Sequence, residues 1–236
     1  MSDLDASTPR VFLARHGETE WTKNGRYTGS TELDLTAHGV KQVADTAALL
    51  VGTGRLIDPA RLVGIQVSPR KRAQQTFEQL FQAGSATPEV RIDDERVTLT
   101  EDITEWDYGD YEGLLVGEIR ASRKQRGLDK EREWNIWKDG CEGGESAQQV
   151  RERLDRMISE LQDIQKPYMH GEKAVDIVVV AHGLILRAFV KRWLKYPLDM
   201  PLPMMMSPGA IAVLSYKNQN IDEPGFFVGM ALPAKE

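Results

Sequence analysis

Cysteine is nearly absent: Cys141 is the single one in 236 residues. A disulfide framework and a metal site built on several thiolates are therefore excluded. Long apolar runs are missing as well, and nothing approaches the roughly 20 residues that a membrane-spanning helix needs. Positive charge is not in excess. Thirty Lys and Arg against thirty-six Asp and Glu leave a formal net charge of -6, so neither nucleic acid nor an anionic membrane is implied as a partner. Residues 1–9 are polar and acidic and lack the basic-then-apolar pattern of a secretion signal. The expectation is a disordered leader and a cytoplasmic setting, with the nucleus also open. No internal repeat and no interdomain linker interrupts the rest, so residues 10–236 are expected to form a single domain. A homo-oligomer is compatible with the sequence.

What is present is an ordinary globular composition, 41% hydrophobic and 28% charged, long enough to bury a sizeable core. Two short apolar runs stand out. Val11-Phe12-Leu13-Ala14 ends in Arg15-His16-Gly17, and Ile177-Val178-Val179-Val180-Ala181 ends in His182-Gly183. Each reads as a buried strand that delivers a His-Gly from its carboxyl end. In an open parallel sheet, ligands bind outside the carboxyl ends of the strands. Both histidines can therefore face one pocket.

Between these runs, strands alternate with helices. Thr36 reads as the N-cap of an amphipathic helix with Val40, Val43, Ala44, Ala47 and Leu50 on its apolar stripe. A second strand is predicted over 62–67. Ser68-Pro69 then reads as a helix start, hydroxyl cap followed by proline, running to about Phe81. Residues 84–88 read as a loop and 90–92 as a short third strand. The acidic stretch 101–113 reads as a loop ahead of a helix from about Val116 to Arg126. Residues 127–144 read as an excursion over one face. A long helix follows with Val150, Leu154, Met157, Ile158, Leu161 and Ile164 as its stripe, stopped by Pro167. After the second His-Gly run come a helix from about Leu184 to Trp193, a loop over 197–208 with four prolines and four methionines, a strand over 210–216 and a last one over 226–230. The fold class expected is α/β, a three-layer sandwich with a mainly parallel sheet and helices on both faces.

The residues suggest phosphoryl chemistry. An imidazole can carry a phosphoryl group and so split one hard step into two easier ones. Arg15 can fork two hydrogen bonds onto phosphate oxygens. Gly17 lets backbone approach an anion closely. Arg70, Lys71 and Arg72 crowd the first turn of a helix, where the macrodipole disfavours cations, and an anionic ligand there would supply the reason. Arg72 reads as the inward one and the other two as solvated. His182 adds a donor. A leaving alkoxide needs a proton, and Glu105 is the candidate general acid; on composition Asp102, Asp107, Asp110 and Glu112 rival it. Cys141 has no adjacent base and reads as an indifferent thiol. His38 and His170 read as surface residues. Trp134 and Trp137, three apart, read as core packing rather than sugar stacking.

At this point the chain resembles the histidine phosphatase superfamily, the phosphoglycerate-mutase-like proteins. The marks are Arg15-His16-Gly17-Glu18-Thr19, Thr28-Gly29 ahead of Leu33-Asp34-Leu35-Thr36, Ser68-Pro69 with Arg72-Ala73 and Thr76, Glu105 ahead of Gly109 and Glu112-Gly113, and His182-Gly183. The resemblance implies the fold already expected, His16 as the phosphorylated nucleophile, Arg15, Arg72 and His182 as the phosphate pocket, and Glu105 as proton donor. It also implies Thr22, Thr28, Gly29, Tyr108 and Gly183 along the substrate, and no metal or organic cofactor.

Within the family, residues 106–113, 126–132, 134–142, 213–216 and 220–224 resemble the fungal sedoheptulose-1,7-bisphosphatases. That likeness implies a sugar bisphosphate losing its C1 phosphate, with another sugar or polyol phosphate as the alternative. Two features depart from relatives. Leu184 stands where many carry a polar residue, and the 197–208 loop aligns with no familiar substrate loop. A mutase reading is weaker, because residues 131–134 lack the adjacent arginines that hold a carboxylate, although Lys130 and Arg132 remain available to a second phosphate. A catalytically silent regulatory module is the reading of a different class, and the intact set of Arg15, His16, Arg72, Glu105 and His182 argues against it.

Overall fold

The computed structural model describes residues 7–82 and 90–229. Its centre is a six-stranded sheet in the order β3-β2-β4-β1-β5-β6. The strands are β1 (Val11–Arg15), β2 (Leu62–Val67), β3 (Val97–Leu99), β4 (Asp176–Ala181), β5 (Ile211–Tyr216) and β6 (Pro224–Phe226). β3, β2, β4 and β1 run parallel, and β5 and β6 continue antiparallel. The two His-Gly strands lie side by side, Val11 opposite Ile177 through to Arg15 opposite Ala181. β4 is buried along its whole length, which is why its run is apolar without alternation.

The helices are α1 (Glu20–Asn24), α2 (Ala37–Leu50), α3 (Lys71–Gln82), α4 (Val116–Gln125), α5 (Ile136–Asp139), α6 (Ala147–Gln165) and α7 (Gly183–Trp193). Strand side chains alternate between two cores. Phe12, Ala14, Val178 and Val180 pack with Val43 and Ala47 of α2 and Phe77 and Leu80 of α3. Leu13, Ile177, Val179 and Ala181 pack on the other face with Leu154, Met157 and Leu161 of α6 and Leu186 and Phe189 of α7. Three layers result, as the alternation of elements predicted. Thr36 caps α2 by accepting from the Gly39 N–H, and Ser146 with Gln149 forms a capping box on α6. Such a cap contributes about 1 kcal/mol.

Several expectations need correction. α3 begins at Lys71, not at Ser68-Pro69; the Ser68 hydroxyl accepts from the Arg70 N–H at 3.4 Å, ahead of the helix, and also meets His182 Nε2 at 2.7 Å. The third strand is β3, not 90–92. Val90 sinks into the α2–α3 core while Ile92 is exposed, and a turn closed by Asp94 N–H to Arg91 carbonyl delays the chain before it reaches the sheet edge. β6 begins at Pro224 and ends at Phe226, where its pairing with Leu214 ends; residue 230 lies outside the described residues, as does the 84–88 loop. Val40 and Ile164, placed on apolar stripes, are exposed. Of the expected leader, residues 1–6 lie outside the described residues. Thr8 and Pro9 are buried, and Ser215 Oγ donates to the Pro9 carbonyl.

Candidate active site

β1 and β4 are neighbours in register, so Arg15-His16 and His182 emerge together at their carboxyl ends. The two imidazoles lie 5.2 Å apart between ring centroids, and both are buried. His16 Nδ1 lies 2.7 Å from the Gly17 carbonyl. A carbonyl only accepts, so Nδ1 carries the ring proton and Nε2 keeps its lone pair. Burial, then the charges of Arg72 and Arg15, hold the His16 pKa well below its usual 6.5. At neutral pH the ring is uncharged and of fixed tautomer, and its Nε2 lone pair is chemically able to attack an electrophile. A Gly17 side chain is forbidden by packing: a Cβ there would sit 2.7 Å from the Gly39 carbonyl and 2.9 Å from Val43 of α2. This glycine thus lets α2 pack closely against the end of β1.

Arg72, in the first turn of α3, is fully buried. Its Nη1 donates to the Thr31 carbonyl and its Nη2 to the Thr28 and Gly29 carbonyls, each at 3.0 Å. Its Nε donates to His182 Nδ1 at 3.1 Å, and His182 Nε2 lies 2.7 Å from Ser68 Oγ. His182 is therefore protonated at Nε2, and both its nitrogens are engaged. Burial and Arg72 hold its pKa well below 6.5.

Arg15 lies across the start of α7, where a Cβ on Gly183 would come within 3.0 Å of its guanidinium carbon. Arg15 Nη1 donates to the Met206 carbonyl at 2.5 Å, and its Nε is buried with no partner among the described residues. Among the described residues, no carboxylate lies within ion-pair distance of Arg15 or Arg72. Burial pushes both their pKa values down, with Glu105 opposing, yet an arginine stays charged at neutral pH. The pocket is cationic inside a chain of net negative charge.

Glu105 is buried beside them. Its carboxylate accepts from the N–H groups of Leu184 and Ile185 at 3.0 and 2.8 Å, capping α7, and from Trp106 N–H at 3.0 Å. Of its rivals, Asp102 pairs with Arg156 and Glu112 accepts from Gly29 and Thr31. Asp107 accepts from Gly109 N–H, and the Asp110 N–H donates to the Glu142 carbonyl.

Tyr108 is buried against Tyr27, and burial, then Glu105, raises its pKa. Thr28 and Gly29 enter through their carbonyls. Thr22 stands apart: its hydroxyl donates to the Thr19 carbonyl and accepts the Thr19 N–H in the cap of α1. Lys71 pairs with Asp34 on the surface, as expected, whereas Arg70, expected to be solvated, is only 28% exposed, pairs with Glu32 and lines a cavity with Gly29 and Glu105. Cys141 is buried and its thiol is pushed up to about 12 by burial.

Residues 11–223 match the profile of the histidine phosphatase superfamily, branch 1. The chain belongs to that superfamily. It is 38% identical to sedoheptulose 1,7-bisphosphatase of Saccharomyces cerevisiae over 94% of this chain and 92% of the yeast protein. It is 34% identical to an acid phosphatase of Mycobacterium tuberculosis over 89% of this chain and 87% of that one. The solved structure of the Mycobacterium tuberculosis open reading frame Rv3214 superposes with a TM-score of 0.71 at 30% identity, covering 93% of this chain and 96% of that one. The superfamily and these phosphatase relatives together give the reaction class: this histidine phosphatase is a phosphoric monoester hydrolase.

Sequence reasoning missed four contributors. Ser68 was read as a helix cap. Thr76, whose Oγ1 accepts the Gly17 N–H at 3.1 Å, carried only a place in the motif. Arg187 and Lys191 of α7 were unremarked, although their spacing of four puts them on one helix face beside the Pro/Met loop. Arg187 Nε donates to the Met204 carbonyl, and Lys191 Nζ to the Leu198 carbonyl while lying 3.7 Å above the Trp137 ring.

Proposed function

We propose that this histidine phosphatase acts on a sugar bisphosphate, with sedoheptulose 1,7-bisphosphate the first candidate, and that it removes the C1 phosphate. The proposed setting is the cytoplasm. His16 Nε2 attacks phosphorus, and the bond from phosphorus to the sugar oxygen breaks. Protonated Glu105 gives the leaving oxygen its proton. Water then attacks the phosphohistidine, Glu105 takes the proton of that water, and inorganic phosphate leaves. Arg15 and Arg72 stabilise the charge on the phosphoryl oxygens throughout.

The observation that carries the bisphosphate reading is a second cationic cavity next to the first. It is lined by Arg187 and Lys191 of α7, Asn135 and Trp137 of the 127–144 excursion, Asp199, and loop residues 200–204. Arg187 joins the two sites: it lies close enough to Arg15 to depress its pKa, and its Nη1 donates to the Gly183 carbonyl. The excursion thus contributes Asn135 and Trp137, whereas Arg132 is bound in a two-pronged pair to Asp139.

The test is phosphate release across a panel of sugar mono- and bisphosphates, with His16→Ala as the blank. A sharp preference for the seven-carbon bisphosphate, with one phosphate released per molecule, is expected. Arg187→Ala should erode that preference about 10-fold or more while sparing p-nitrophenyl phosphate, since a hydrogen bond to a charged group is worth about 1.5–3 kcal/mol. Slow, unselective release from monophosphates would overturn the substrate. Equal release by wild type and His16→Ala would sink the mechanism.

A further inference from the structure

We infer that Glu112 is a positioning residue for Arg72, acting through the backbone of residues 28–31. The proposal rests on the phosphatase reading of the site. Arg72 is held by the carbonyls of Thr28, Gly29 and Thr31. The convergence of three carbonyls of one short turn on a guanidinium depends on how that turn is oriented. The fixing group is the Glu112 carboxylate. It accepts the Gly29 N–H at 2.8 and 3.0 Å and the Thr31 N–H at 3.0 Å. The same peptide stretch thus gives its N–H groups to Glu112 and its carbonyls to Arg72.

Two further observations point the same way. A Cβ on Gly29 would lie 2.9 Å from Glu112 Oε2 and 2.6 Å from the Trp106 carbonyl, so the turn is seated directly on the carboxylate. The flanking chains are zipped together, Tyr27 N–H to the Leu114 carbonyl and Gly113 N–H to the Tyr27 carbonyl. Nor does the chain of bonds stop at Arg72, whose Nε fixes His182 and through it Ser68. Glu112 therefore sets the orientation of the phosphate pocket from behind the first ring of contacts, and a planar guanidinium makes that orientation consequential, because its donors point in fixed directions.

The experiment is a double-mutant cycle. Glu112→Ala, Glu112→Gln, Arg72→Ala and Glu112→Ala/Arg72→Ala are compared in kcat/KM for p-nitrophenyl phosphate, in vanadate affinity and in thermal melting. Glu112→Ala is expected to lower kcat/KM by about 30-fold, yet to cost less than about twofold when Arg72 is already alanine, since residues acting as a unit are not additive. Vanadate binding should weaken in parallel. Glu112→Gln should recover part of the loss, because its amide oxygen still accepts the Gly29 N–H. Equal proportional losses in both backgrounds, or no loss in Glu112→Ala, would overturn the proposal. Should wild type release no phosphate at all, the same cycle read through vanadate binding still decides the role of Glu112, and only the hydrolytic reading falls.

Discussion

Arg72 and Arg132 carry the same guanidinium in opposite surroundings. Arg72 is buried and bonded to three carbonyls and an imidazole. Arg132 is about half exposed and lies 2.5 Å from an Asp139 oxygen. The contrast extends to whole regions. At the strand ends Arg15 rests on a carbonyl, while around the excursion Arg123 pairs with Asp129 and Arg126 with Glu142. A carbonyl dipole orients a cation without cancelling its charge; a carboxylate cancels it. Charge available to an anionic substrate is therefore found by asking what holds each arginine, and a count of basic residues does not show it.

Breaking the comparison at its strong end gives the largest effect. Arg72→Ala should lower kcat/KM by about 10³-fold, the scale of losing a preorganised donor to developing charge. Steady-state kinetics with p-nitrophenyl phosphate checks it, and a loss under tenfold would mean that the buried guanidinium does not face the phosphoryl group.

An intermediate effect separates the regions by pH. His16 and His182 have pKa values held below 6.5 in the folded chain. The unfolded chain therefore takes up protons first as pH falls, and stability declines from about pH 6.5 downward. In the excursion, Arg132 holds the Asp139 pKa low and Arg126 that of Glu142. Their contribution is present above the ordinary carboxylate range and is lost only as pH falls through it. Melting temperature against pH should thus fall in two stages, and His16→Gln should flatten the first while leaving the second. A single stage centred near pH 4 would refute this.

The smallest effect is expected at the exposed pair. Arg132→Ala should change stability by less than about 1 kcal/mol and kcat/KM for a bisphosphate by less than about threefold. A larger kinetic loss would move the second phosphate from the Arg187 cavity to the excursion.

The two His-Gly strand ends were legible in the sequence because a strand buried on both faces cannot alternate. Their apolar runs, and the glycine stopping each, mark where the pocket opens. α2, α4, α6 and α7 were legible for the same kind of reason, a local period with a local stop. What escaped depends on residues far apart. The Ser68 hydroxyl has a local use, accepting the Arg70 N–H, and a distant one on His182, 114 residues away, and only the local one can be seen in the sequence. Glu105 stood among five acids by composition; what distinguishes it is the N-terminus of α7, 79 residues on. β3 was misplaced because Val90 is buried by α-helical neighbours, and burial alone does not tell a strand from a packed loop.

Arg15 touches the 197–208 loop through one nitrogen alone, Nη1 on the carbonyl of Met206. A guanidinium carries five N–H donors in a fixed fork, and its buried Nε has no partner among the described residues. The loop therefore sets the tilt of the fork without using it up, as a rest holds a tool with its working edge free.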